Sequence, residues 1–202
     1  MSGPTLVIEL AQAPAPAALR EFGALMTRLC PTLTENRPGS YDGHVLADRL
    51  GIPDRPEWAP PPRHQAPADP APAALRRPGL HLHRPFLVYL MGPGIGDEPL
   101  FEAEHADQPA LDAALGYRPT HAVNVSACCN DDLDHLATAL LTAAVMDAVG
   151  GLAAAELATG QAGIVAGLPG LLAVTEDDWP TAVGTAAFLR AWAEQPGFRL
   201  MK

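Results

Sequence analysis

Lysine is almost missing from this chain: Lys202 is the single one, and the other twelve basic residues are arginines. Thirteen bases stand against 23 acids, for a formal charge of −10. A phosphate backbone is bound chiefly by Lys and Arg that neutralise it, so this balance excludes nucleic acid as the expected partner. Cysteine is scarce too. Cys30, Cys128 and Cys129 are odd in number and two are adjacent, which is no disulfide framework and fits a reducing, cytoplasmic setting. Aromatics make up 5% of the residues, and no long unbroken apolar run is present. The longest, residues 136–149, is interrupted by Thr138, Thr142 and Asp147 and falls short of a membrane span. The opening MSGPTLVIEL has neither the basic start nor the apolar length of a secretory leader.

What is present suffices for one well-filled core. The 202 residues are 48% hydrophobic, an ordinary globular share. Residues 5–10 read as a strand, and residues 17–29 as a helix with Leu19, Phe22, Leu25, Met26 and Leu29 on one face. Cys30, before Pro31, falls at that helix end. Nine prolines between 53 and 78 exclude this stretch from a sheet interior. We read 53–79 as a Pro-rich surface excursion of a single domain, because the strand and helix before it are too small to fold alone. A Pro-rich ligand for a recognition module is the alternative use of this stretch.

Residues 80–91 resume as a strand, 92–96 as a turn, 97–107 as an acidic loop and 109–115 as a short helix. Residues 121–127 alternate, with His121, Val123, Val125 and Ala127 on one face of a strand. Residues 130–149 form a long helix stopped by Gly150 and Gly151. Strands are expected at 152–157, 163–175 and 198–201, and a last helix at 185–194 with Phe188, Leu189 and Trp192 buried. Trp179 reads as a core aromatic. Strands and helices mix without strict alternation, which predicts an α+β fold: a mainly antiparallel sheet with helices packed on one face.

The densest polar chemistry lies at the start of the long helix. Asn130 suits the N-cap, and Asp131, Asp132 and Asp134 suit the positive end of the helix dipole. Asp131, Asp134, His135, Thr138 and Thr142 recur at helical spacing and read as the helix's wet or partner-facing stripe. His135 with Asp131 or Cys129 offers acid/base or nucleophilic chemistry of a small hydrolase. Cys128 and Cys129 default to buried small apolar groups. His81 and His83 would share a strand face but lack further ligands, so no metal and no cofactor is expected. The run Gly92-Pro93-Gly94-Ile95-Gly96 lacks the lysine of a phosphate loop and reads as a turn. Trp58, inside the Pro-rich run, is either packing for the excursion or an exposed anchor.

Three segments, MSGPTLVIEL, VSACCNDDLDHLATALL running to VGGL, and AFLRAWAEQPGFRLMK, resemble an uncharacterised actinobacterial domain-of-unknown-function family, DUF6368-like. The resemblance covers about a third of the chain, and the Pro-rich insert has no counterpart in it. It carries over no catalytic residue. The small, acidic, signature-free character is also similar to immunity proteins encoded beside bacterial toxins, which is an association only. Together these predict a non-enzymatic immunity-type factor that occludes the active site of a basic toxin through an acidic surface. Asp131, Asp132, Asp134 and His135 are the expected partner-binding residues, with Asp97, Glu98, Glu102 and Glu104 beside them.

Overall fold

The computed structural model describes residues 3–52, 83–105 and 108–201. Its strands are β1 (Thr5–Leu10), β2 (Thr32–Arg37), β3 (Ser40–Leu46), β4 (His83–Met91), β5 (His121–Ala127), β6 (Leu152–Glu156), β7 (Leu171–Val174) and β8 (Thr181–Gly184). Its helices are α1 (Pro16–Leu29), α2 (Glu98–His105), α3 (Pro109–Leu115), α4 (Asp132–Val149), α5 (Gln161–Val165) and α6 (Ala186–Ala193). The eight strands form one sheet in the order β2-β3-β4-β5-β1-β6-β8-β7, every neighbouring pair antiparallel. The architecture is α+β, as the sequence predicts. Chain on either side of residue gap 53–82 enters the same sheet, because β3 pairs with β4. The Pro-rich stretch itself, with His81 and Trp58, lies outside the described residues.

Alternation decides which side of the sheet each residue serves. Leu6, Ile8 and Leu10 of β1, Val123 and Val125 of β5, and Ala153 and Ala155 of β6 all enter the main core. Over this face lie α1, α4 and α6, with α4 on β1 and β5 and the other two at its flanks. Covered on three sides, α4 is apolar nearly all round, and Leu141, Ala143 and Val145 lose all solvent contact. The predicted stripe of α6 is confirmed: Phe188, Leu189 and Trp192 are fully buried.

The intervening residues face the other way. Val183 of β8 joins Leu111 and Leu115 of α3 in a second, smaller cluster, with Leu152 and Ala154 of β6 packed against it. So α3 covers the β6–β8 part of the second face, in addition to the helical layer on the first.

Several local expectations change. Residues 97–107 hold a helix, α2, and residues 163–175 divide into the end of α5 and the strand β7. The hairpin β2–β3 and the strand β8 come from segments without clear alternation. Residues 198–201 form no strand, although Leu200 is buried. Trp179, expected in the core, is 72% exposed in the link between β7 and β8. Cys128 and Cys129 are exposed, and only Cys30 is buried.

Candidate functional site

The start of α4 turns out to be internal structure. Asp131, not Asn130, is the N-cap: its Oδ1 accepts the Asp134 amide at 3.1 Å, and Asp134 Oδ2 accepts the Asp131 amide at 2.7 Å. This reciprocal box satisfies two amides that the first helical turn would leave unpaired. Arg84 of β4 then closes on both acids. Its Nε donates to Asp134 Oδ1 at 2.7 Å and its second guanidinium nitrogen to Asp131 Oδ2 at 2.6 Å. Asp134 has no exposed surface and Arg84 only 12%.

The acids respond in opposite directions. Burial works to raise the Asp131 carboxyl, but the Arg84 hydrogen bond and charge outweigh it and hold the group below the usual range. Asp134 is pushed up, by burial first and also by the neighbouring Asp131 charge, against the pull of Arg84.

Apart from the 60% exposed Asp131 side chain, the stripe read as the wet side of the helix is therefore its inner side. His135, Thr138 and Thr142 are buried with Asp134. The Leu200 amide donates to His135 Nδ1 at 3.2 Å, so the C-terminal segment covers the ring. Thr138 donates back to the Asp134 carbonyl at 2.7 Å. A general base must come within hydrogen-bond reach of its substrate, and a ring sealed this way does not. Asp134 and His135 likewise present nothing to a partner. Asp132 faces solvent but lies 3.4 Å from Arg199. The physical reason for the reversal at Asp134 is Arg84 of β4, which makes that charge bearable inside.

Cys128 is no activated nucleophile: although the residue is exposed, partial desolvation of its thiol, then Asp42 and Cys129, raise it. His83 is exposed, and among the described residues no group of three or more His, Cys, Asp or Glu is arranged to hold a metal.

The second acidic cluster has the opposite fate. Gly96 lies so close to the Leu90 carbonyl that a Cβ there would sit 1.8 Å from the oxygen. The Asp97 amide bonds that same carbonyl at 3.2 Å, and Asp97 caps α2 through the Leu100 amide at 3.0 Å. Asp97 also pairs with Arg37 at 3.1 Å. At about 1.5 Å per residue, eight residues of helix span ~12 Å, a little over two strand spacings. That reach carries α2 from β4, across β5, to β1, where His105 Nδ1 meets Glu9 Oε1 at 2.9 Å. Phe101 and His105 stack at i, i+4 with ring centroids 5.2 Å apart. Glu98, Glu102 and Glu104 are exposed and form no ion pair or side-chain hydrogen bond among the described residues.

Beside α2 the described residues leave part of the second face of the sheet uncovered. A cleft of about 540 Å³ lies there, with Thr5, Val7, Asn124 and Ala154 on its floor. Val7 pairs with both Asn124 and Ala154, so three strands meet at this point. Thr5, Ser126 and Asn124 are linked, Thr5 to Ser126 at 2.9 Å and Ser126 donating to Asn124 Oδ1 at 2.8 Å. Among the described residues, Glu104 of α2 and Glu156 of β6 supply the charge, Leu200 and Met201 close one end, and no basic residue lines the space.

Sequence reasoning singled out Glu104 but missed Glu156, Asn124 and Arg84. It also missed Glu9, although one acid inside the apolar run TLVIEL is a readable signal of a buried charge that needs a partner. Tyr117 completes the surroundings of Glu9. Its hydroxyl donates to the Glu9 carbonyl at 2.7 Å, and burial together with the Glu9 charge pushes the phenol up to about 12.

The chain belongs to the family of unknown function DUF6368, whose model matches residues 2–202. No curated protein and no solved structure matches it. No helix among the described residues is long and apolar enough to cross a membrane.

Proposed function

We propose that this chain is a non-enzymatic binding protein of the immunity type, which neutralises a basic toxin domain by covering its active site with an acidic surface. One observation carries the reading: among the described residues the acids of α2 and of the adjacent cleft are exposed and unpaired, while Asp131 and Asp134 are held by Arg84 and Asp132 lies beside Arg199. Exposed like charges on one element are tolerated at some cost in stability, and they steer an oppositely charged partner during diffusional encounter. The docking surface is then Glu98, Glu102 and Glu104 with Glu156, and Asp132 at most at its margin. The net charge of −10 reinforces the attraction at long range.

The alternative of a small hydrolase built on His135 has little support from the geometry, since that ring is 1% exposed and covered by the Leu200 amide.

The test is co-expression with the product of a neighbouring toxin gene. Growth rescue and co-purification support the reading. The triple variant Glu98→Gln, Glu102→Gln, Glu104→Gln is expected to slow association and flatten its salt dependence while leaving the fold intact. A partner that neither co-purifies nor is neutralised removes the immunity reading.

A further inference from the structure

The carboxylates of the cleft continue beyond its visible rim. Thr5, Val7 and Glu9 share one face of β1, and the first two form the cleft floor. Glu9 stands one step farther along, beneath the last turn of α2. It is 1% exposed, and its cross-strand neighbours are Ala122 and Leu152. Its Oε1 is bonded by His105, but Glu9 Oε2 and His105 Nε2 find no hydrogen-bond partner among the described residues. Buried polar atoms are almost always satisfied, so an unused carboxylate oxygen next to a binding cleft points to a donor that arrives from outside.

The cover over Glu9 is one helix end. No α2 residue is buried as a whole, although the His105 side chain is only 5% exposed, and the helix is anchored by Asp97 at one end and by His105 at the other. We propose that Glu9 is a concealed third carboxylate of the cleft, and that a guanidinium side chain of the partner displaces His105 from it, raising the last turn of α2. This rests on the reading of the chain as a binding protein for a basic partner. Glu104 and Glu156 meet the cation at the entrance, and Glu9 holds it at the inner end. Arginine fits better than lysine for two reasons. Its planar fork carries five donors for several carboxylate oxygens, and it is weakly enough hydrated to reach a carboxylate flanked by Ala122 and Leu152.

The experiment titrates N-acetyl-arginine amide into the full chain, followed by NMR. Saturable binding is expected, with the His105 ring signals shifting as the ring leaves Glu9. Glu9→Gln weakens binding at least tenfold. His105→Ala strengthens it several-fold, because it removes the competitor for Glu9. A plain structural tether would make both variants change binding in the same direction, and that result overturns the proposal. So does equal or tighter binding of N-acetyl-lysine amide, or Glu9→Gln binding at wild-type strength. If Glu9→Gln fails to fold, the sign of the His105→Ala effect decides. A basic partner that binds while the arginine probe does not overturns this inference alone; failure of every basic partner removes both readings.

Discussion

Replacing Arg84 by methionine keeps most of the side-chain volume and deletes the cation that, among the described residues, bonds both Asp131 and Asp134. Breaking a buried pair from one side costs about 3–5 kcal/mol when the remaining charge is stranded. Asp134, with no exposed surface, is that charge. It has an escape, however: it can take up a proton on Oδ1, the oxygen Arg84 Nε had bonded, and keep Oδ2 for the Asp131 amide. Neutralising a carboxyl of ordinary unfolded pKa near 3.9 costs ~1.4 kcal/mol for each pH unit above it, so ~4 kcal/mol at pH 7 and ~1.5 kcal/mol at pH 5. The penalty of Arg84→Met is therefore capped, and the cap falls with acidification. The sign is consistent: a carboxyl raised in the folded state binds its proton more tightly there, so the variant gains stability as pH drops through that folded value. In the wild type Asp134 is already raised, by burial and by Asp131, so the proton has a ready site. Urea unfolding followed by circular dichroism at pH 7, 6 and 5 measures the difference. Adding Asp134→Asn to the variant should abolish the pH dependence. A penalty that stays constant across this range refutes the reasoning.

Two tryptophans predicted to share the core should behave differently. Trp192→Ala is expected to cost about 3–5 kcal/mol, whereas exposed Trp179→Ala should stay within ~0.5 kcal/mol in the same urea assay. Thiol labelling at neutral pH should spare Cys30, whose thiol is pushed to about 11 chiefly by burial, until the protein unfolds. Cys128 and Cys129 should both label in the native state, with Cys128 slower than a model thiol because burial and Asp42 raise it. Early protection of Cys129 or labelling of native Cys30 contradicts this. Gly96→Ala forces a methyl group onto the Leu90 carbonyl, so α2 amides should lose hydrogen-exchange protection while α4 amides keep theirs. Unchanged protection in α2 would show that the close approach is not what seats the helix.

The strands and helices visible in the sequence are those with a clear period. Thr5–Leu10 and His121–Ala127 are central strands, and α1 carries Phe22, Leu25, Met26 and Leu29 on one buried side. The missed strands are those whose burial is shallow or brief. β2, TLTENR, is an edge strand with almost every residue exposed, so nothing in it needs to alternate. β8 is four residues long, too short to show a period. Pro38-Gly39 between β2 and β3 was the available turn signal, with Gly39 at φ 76°. α2 was mistaken for a loop because four of its eight residues are acids or histidine, and only the i, i+4 pair of Phe101 and His105 betrays the helix.

The site was harder to see for a reason specific to charge. A carboxylate's availability depends on what already occupies its oxygens, and that is decided by residues distant in sequence. Asp131 and Asp134 are spent on each other's amides and on Arg84, which precedes them by about fifty positions. Glu104 meets Glu156 across a cleft whose floor comes from three strands. Helical spacing grouped Asp131, Asp134, His135, Thr138 and Thr142, but that grouping carries no sign for inside or outside: the last four are buried, while the Asp131 side chain is 60% exposed. Inside the core, Arg84 and the Leu200 amide hold Asp134 and His135, while the Thr142 hydroxyl has no hydrogen-bond partner among the described residues. On a half-exposed helix such as α2, acids need no such holding and are free to meet a partner. The degree to which the surrounding helix is buried, more than the local density of acids, therefore separates the two clusters.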